Sequence, residues 1–414
     1  MSNRLLSRDF SLMVTGQIVS VLGSAVLRFA LDLYVLDVTG RADIFGLLIA
    51  VSAIPAILFT PIGGAIADRV SRRNLMVIFD FSSGTIVLVL FFLLRTGQVP
   101  VAVIGVILAL LSVISSMYQP TVQASIPVLV SKERLASGNG IVTGIGALSG
   151  LLGPVLGGVL YGVVGLNALV VGGCAMFFLS SFMEMFIRIP FTKQAREKSI
   201  VPTIIGDMKL GLRYVTREKP AIRKIITLAA GLNMLLSPFF IVGIPYILRI
   251  TLESSERMYG FGMGIMQFSA ILGAVLAGVI TKKLVLSDLH KVLIVIAAVM
   301  LPMALAVAPV VLGAGYWPSF ILLMGFNVIV MVLITSINIF AITSVQKVTP
   351  NEMLGKVMSI IMAVAQCAAP LGMAMYGVAF EQFSGAVYIP VLCACFFTAA
   401  ISFASKKMLT EKEM

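Results

Sequence analysis

Gly63-Gly64-Ala65-Ile66-Ala67-Asp68-Arg69-Val70-Ser71-Arg72-Arg73 is a short charged break between two apolar runs. The run before it, 44–66, carries no charged residue, and the run after it, 74–95, carries only Asp80 before Arg95. About 20 consecutive apolar residues cross a bilayer as a helix, so the segment reads as a tight connection between two spanning helices. Its two glycines let a neighbouring helix approach closely. Asp68 suits a helix amino terminus or a facing arginine, and Arg69, Arg72 and Arg73 hold the connection on the cytoplasmic side.

Read outward from that loop, the same ruler gives spans at 11–36, 44–66, 74–95, 100–120, 139–163 and 166–188. A polar stretch, 189–222, interrupts the series, and six more spans follow at 223–249, 259–281, 291–312, 318–343, 356–379 and 385–405. With both termini inside, 25 of the 30 lysines and arginines fall on the cytoplasmic side and four outside, with Arg28 left inside a span. This asymmetry is the positive-inside pattern, and an odd number of spans would break it. The expected fold is therefore an all-α membrane protein of twelve transmembrane helices with cytoplasmic termini. It forms two pseudo-symmetric six-helix bundles, 1–188 and 223–414, joined by a cytoplasmic linker, 189–222.

Composition agrees. Of the 414 residues 59% are hydrophobic and 12% charged, and the mean hydropathy is +1.07. Soluble domains carry roughly 25% charged residues, so most of this surface faces lipid. The net charge of +12 is accounted for by the inner loops, and no nucleic-acid partner is expected. Cys174, Cys367, Cys393 and Cys395 all lie in apolar runs and form no metal or disulfide pattern. No metal and no cofactor are expected.

The halves echo each other. The loop Val130-Ser131-Lys132-Glu133-Arg134-Leu135 is matched 219 residues later by Thr349-Pro350-Asn351-Glu352-Met353-Leu354, and Gly158 and Gly377 keep that offset. Gly63, before its basic loop, is matched by Gly278 before Lys282 and Lys283. Within the linker, Ile204, Ile205, Met208, Leu212 and Val215 share one helical face and Lys209, Arg213 and Arg217 another, as in a basic helix lying on the inner membrane surface.

The 63–73 segment resembles the loop signature between the second and third helices of the major facilitator superfamily. The fifth span, with Gly150, Gly153, Pro154, Gly157 and Gly158, resembles the Gly-Pro-x-x-Gly-Gly signature of that superfamily's drug exporters. The chain as a whole is similar to the macrolide-efflux and siderophore-export branch. The carrying residues are Gly16-Gln17, Gly23, Phe29-Ala30-Leu31, Asp80 and Thr349 to Lys356. One departure stands out: 101–120 has no basic residue where many proton-coupled exporters carry a fourth-helix arginine. The resemblance implies a conformational role for Gly63, Gly64, Asp68, Arg69, Arg72 and Arg73. It implies a sliding face for the fifth span, and export by alternating access in the inner (cytoplasmic) membrane.

Of the 18 acids only Asp32, Asp80 and Glu184 fall within spans, where ionisable groups are costly and usually functional. Asp80, about two turns from the inner loop, is read as a partner of its arginines, and Glu184 as an i,i+4 partner of Arg188. Asp32 has Arg28 one turn deeper on the same face. Two readings stay open there, a self-neutralising packing pair and a carboxylate that binds a proton or a cationic substrate. Gln17, Tyr118, Gln119, Asn233, Gln267, Asn327, Asn338 and Gln366 are candidate cavity residues from both halves, each equally explicable as a helix–helix hydrogen bond.

The expected function is secondary efflux of amphipathic organic compounds, drug- or macrolide-like, by proton antiport, carried out by a monomer in the lipid bilayer. The alternative within transport is export of an endogenous siderophore or lipid. ATP drive is not expected, since the chain has no Walker A loop. An intramembrane enzyme is remote because His290 is the only histidine. A channel is remote because no filter-like loop or ring of acids occurs.

Overall fold

A computed structural model of the chain describes all residues except 1–6, 68–69, 98, 132–133, 190–209, 211, 219, 283 and 410–414. The regular elements among the described residues are all helical. In chain order the principal ones are α1 (Arg8–Thr39), α2 (Ala42–Ala67), α3 (Arg72–Arg95), α4 (Val101–Leu129) and α5 (Leu135–Glu184). After the linker come α6 (Pro220–Leu235), α7 (Glu256–Ile280), α8 (Leu289–Ala306), α9 (Tyr316–Val348), α10 (Asn351–Gln382) and α11 (Tyr388–Met408). Beyond α6 the chain continues helically through Phe239–Gly243, Ile244–Tyr246 and Ile247–Thr251, the first and last with π-helical hydrogen bonding.

Long apolar helices follow from the solvent. Hydrocarbon offers no partner to a peptide group, so each N–H and C=O must be satisfied within the helix. Only the ends need other partners, and at the start of α1 the Ser7 hydroxyl oxygen accepts the Phe10 N–H at 3.2 Å. Pro120 and Pro127 in α4, Pro154 in α5, Pro302 in α8 and Pro370 in α10 lie inside helices, as lipid-embedded helices tolerate.

Among the described residues ten helices are long and apolar enough to cross a membrane. One of them, the 48-residue stretch Ser137–Glu184 within α5, carries both the fifth and sixth expected spans. It is interrupted at Gly165, whose φ of 75° and ψ of 173° lie outside helical space; glycine alone adopts that conformation without strain. The expected span at 356–379 lies in α10, which is not among the ten. Helices α4 and α10 both run past the apolar windows read from the sequence, because flanking segments with interspersed polar residues, such as Thr121 to Leu129, stay helical. Most of the linker's proposed amphipathic helix lies outside the described residues. Of its apolar face, Val215 is buried and Leu212 exposed.

The distribution of side chains is inverted relative to a water-soluble protein. Val275 is 73% exposed and Phe396 69%, while Gln17, Asp80, Glu184 and Asn327 are at most 2% exposed. This is a multi-pass membrane protein.

The chain divides into two compact units. One comprises Met1–Val38, Val51–Glu197 and Ser255–Gly264, the other Thr39–Ala50, Lys198–Ser254 and Ile265–Met414. In the first, α3 packs along α5 and α4, and Phe10, Met13, Met76, Tyr118, Val122 and Ile126 form a closed core near the amino-terminal end of α1. In the second, α8 packs on α11 and α9, and α6 on α10. There the rings of Phe239, Tyr246, Tyr376 and Phe380 form one aromatic cluster.

Candidate functional site

Inside the first unit, four helix segments converge on a polar knot. Helix α1 contributes Gly16, Gln17 and Ser20, α3 contributes Asp80, α4 contributes Tyr118, and the second half of α5 contributes Ser180 and Glu184. The Ser20 hydroxyl donates to Asp80 Oδ1 at 2.7 Å. The Tyr118 hydroxyl donates to Glu184 Oε1 at 2.7 Å, and Ser180 donates to the Gly16 carbonyl at 2.9 Å. Gly16 makes the convergence possible. A Cβ there would stand 3.3 Å from Ser180 Oγ and 3.4 Å from Glu184 Cγ.

These partners correct two readings made from chain distance. Glu184 does not pair with Arg188, which is exposed and whose backbone N–H donates to Asp9 at 3.0 Å. Asp80 does not pair with Arg72 or Arg73 either. Among the described residues no ion pair reaches it. Arg72 donates to the Ala67 carbonyl at 3.2 Å, and Arg73 donates to the Met185 carbonyl. The sequence signal that points to the knot is the small and polar series Gly16, Gln17 and Ser20, spaced for one face of α1.

On α1, Arg28 is exposed and Asp32 half-buried. They form no ion pair within 4.0 Å among the described residues, although the Arg28 charge acts on the Asp32 carboxyl. A closed, self-neutralising pair is thus not what the helix presents. The candidate cavity residues separate into groups. Gln17 and Tyr118 are buried in the knot. Asn233 donates to the Ala229 carbonyl of its own helix at 2.9 Å, and Gln119 is half-buried. Gln267, Asn338 and Gln366 are exposed. Asn327 is fully buried with neither side-chain polar atom hydrogen-bonded.

Asp68 and Arg69 of the basic loop lie outside the described residues. Gly63 packs on α4, where a Cβ would meet Met117 Cα at 2.6 Å. The glycines of α5 divide by face. Gly153 and Gly157 pack on α1, where a Cβ would come 2.7 Å from the Ala25 Cβ and 2.7 Å from the Phe29 ring respectively. Gly158 instead meets α7, where a Cβ would stand 2.5 Å from the Glu256 carbonyl oxygen and 2.9 Å from Gly260 Cα. Gly150 faces open space, and Pro154 offers its carbonyl oxygen to Gly260, 2.5 Å from where a Cβ would sit.

A second crossing repeats the arrangement between α2 and α10. A Cβ at Gly46 would meet the Met373 carbonyl oxygen at 2.6 Å and Gly377 Cα at 3.0 Å. From the other side, a Cβ at Gly377 would stand 2.8 Å from the Ala42 carbonyl oxygen. Beside it, Glu381 accepts the Ala42 N–H at 3.0 Å, a carboxylate at a helix amino terminus. Gly260 and Gly46 are absent from the residues picked out by sequence. The spacing Gly260-x-x-x-Gly264 is the signal that marks a close helix approach there.

Comparison with known proteins places this geometry. Residues 13–373 match the Major Facilitator Superfamily. Macrolide efflux protein A of Streptococcus pyogenes is 24% identical over 370 residues, 86% of each chain. Multi-drug resistance efflux pump PmrA of Streptococcus pneumoniae is 31% identical over 157 residues, covering 37% of this chain and 38% of that one. Among solved structures, the nucleoside transporter NupG superposes with a TM-score of 0.72 at 14% identity, covering 98% of this chain and 100% of that chain. The match to the family runs over most of the chain and the fold agrees along nearly all of it. The chain belongs to the major facilitator superfamily and is a multi-pass membrane transporter, not an enzyme.

Proposed function

We propose that the protein is a twelve-helix secondary transporter of the cell's inner membrane, with both termini cytoplasmic, that exports amphipathic organic compounds in exchange for protons. The bundles are 1–188 and 223–414 with the linker 189–222 between them, and a monomer performs the cycle. The observation that carries alternating access is the pair of glycine crossings, Gly158 on Gly260 and Gly46 on Gly377. Each joins a helix of one proposed bundle to a helix of the other through backbone contact with almost no side chain between. Such contacts can separate and re-form with little rearrangement of side chains. Similarity to macrolide and multidrug efflux proteins supports outward transport of organic compounds.

Coupling is assigned to Asp32 with Arg28, because the pair is open rather than locked. A proton on Asp32 leaves Arg28 without its counter-charge and weakens any contact with a cationic substrate. The basic loop, Gly63 to Arg73, biases the two access states, and the exposed polar residues Gln267, Asn338 and Gln366 contribute to the cavity.

Proteoliposomes with an imposed pH gradient test the reading. Purified protein should accumulate a radiolabelled macrolide against its gradient. Asp32→Asn should abolish uphill transport and spare downhill exchange. Full uphill transport by Asp32→Asn would remove Asp32 from coupling, and uptake of a siderophore or lipid in place of the macrolide would replace the substrate class.

A further inference from the structure

The polar knot of the first unit is short of hydrogen-bond donors. Asp80 and Glu184 are 2% and 0% exposed, and Gln17 is 1% exposed. Three of their oxygens, Asp80 Oδ2, Glu184 Oε2 and Gln17 Oε1, are buried with no hydrogen-bond partner. An ionised carboxylate accepts at about four lone-pair sites, yet Glu184 receives one bond, from Tyr118, and Asp80 has only the hydroxyls of Ser20 and Ser180 beside it. The two acids are also close enough for the charge on Asp80 to act on Glu184 and for both to act on the Tyr118 hydroxyl.

Among the described residues no cation pairs with them. Around the knot, α1 presents Gly16, Gln17 and Ser20, α4 presents Tyr118, and α5 presents Ser180. The basic group nearest along α3, Arg73, donates through Nη2 to the Met185 carbonyl and keeps a buried Nε without a partner, and no ion pair reaches either acid among the described residues. Two uncompensated carboxylates buried together repel each other and each bears a desolvation penalty of several kcal/mol. One added proton relieves both problems. It removes a charge and turns an orphan acceptor into a donor that another orphan oxygen can accept.

We propose that Asp80 and Glu184 form a buried proton-holding site, distinct from Asp32, in which the pair shares a proton while α1 stays packed against α3 and α5. The assignment rests on the proton-antiport reading for its role in the cycle but not for its existence. A static knot that merely glues helices together would have no need of two acids, since amides of the same shape supply the missing donors.

Infrared difference spectroscopy of the purified protein in nanodiscs, at neutral pH, decides it. The wild type and Asp32→Asn should both show the carbonyl stretch of a protonated, non-hydrated carboxylic acid. Asp80→Asn and Glu184→Gln, which preserve side-chain shape, should each lose it or halve its amplitude. Tyr118→Phe leaves both acids in place and should shift the band, which covers the case in which an amide variant fails to fold. No such band in the wild type, or a band indifferent to all three knot variants, overturns the proposal. A band that disappears when sodium is added to the wild type also overturns it, in favour of a cation site. Because this measurement involves no transport, it stands even if pH-driven export is absent. Conversely, a confirmed band with undiminished uphill export by Glu184→Gln leaves the proton site in place and removes it from the coupling pathway.

Discussion

Gly158→Ala adds one methyl group to the crossing of α5 and α7. The new Cβ would stand 2.5 Å from the Glu256 carbonyl oxygen and 2.9 Å from Gly260 Cα. Both are backbone atoms, so no side chain can rotate away and the helices themselves must separate. Overpacking of this kind costs about 1–3 kcal/mol, and the cost falls only on the state in which the crossing is closed. In a two-state cycle that shifts the equilibrium toward the opened crossing by about 5- to 150-fold. Spin labels at Asn167 and Arg257, on cysteines introduced after the four native ones are replaced, report the separation of the α5 and α7 ends. Gly158→Ala should move population to the longer distance, and Gly377→Ala at the other crossing should act in the same direction. Gly146 and Gly150 provide the control, since nothing lies within 4 Å of a Cβ at either. An unchanged distance distribution in Gly158→Ala, or an equal shift in Gly150→Ala, would refute the idea that this contact opens during the cycle.

If the loop carboxylate acts in one access state only, as the resemblance implies, Asp68→Asn should slow transport severalfold while leaving insertion and substrate binding intact; equal rates in matched proteoliposomes would count against it. Asn327→Leu removes a buried amide whose polar atoms have no partner, and it should raise thermal stability or leave it unchanged. If binding of a labelled macrolide falls more than tenfold in that variant, Asn327 contacts substrate in another state.

The all-helical membrane fold was readable because the bilayer imposes a one-dimensional code. Span length and the break between the fifth and sixth expected spans, where Gly165 lies, both lie along the chain, and each needs only local sequence. The polar knot was not readable in the same way. Chain proximity assigned Glu184 to Arg188 and Asp80 to the loop arginines, whereas their partners Tyr118 and Ser20 lie 66 and 60 positions away. Four helices have to be packed before those distances exist. The repeat was legible in part. Gly158 and Gly377 share an offset and prove to occupy equivalent crossings. Gly63 and Gly278 do not match in packing: Gly63 sits against α4, while Gly278 has nothing within 4 Å. Gly273 is the glycine that presses on its neighbour there, with a Cβ position 2.9 Å from Val332 Cα of α9.

The glycine-rich span shows where the boundary between pattern and packing falls. At 3.6 residues per turn, Gly153 and Gly157 share a face and Gly158 lies about 100° around the helix, so periodicity alone divides the motif. What periodicity cannot supply is the neighbour on each face, and the neighbour decides the meaning of a substitution. A bulky residue at Gly153 or Gly157 collides with Ala25 or Phe29 of α1, both within the first unit, and so disturbs the helix that carries the polar knot and Asp32. At Gly158 the same bulk wedges α7 away. The small-residue motif therefore presents two faces with different neighbours, α1 at Gly153 and Gly157 and α7 at Gly158, and on the proposed alternating-access cycle it is the second contact that would separate.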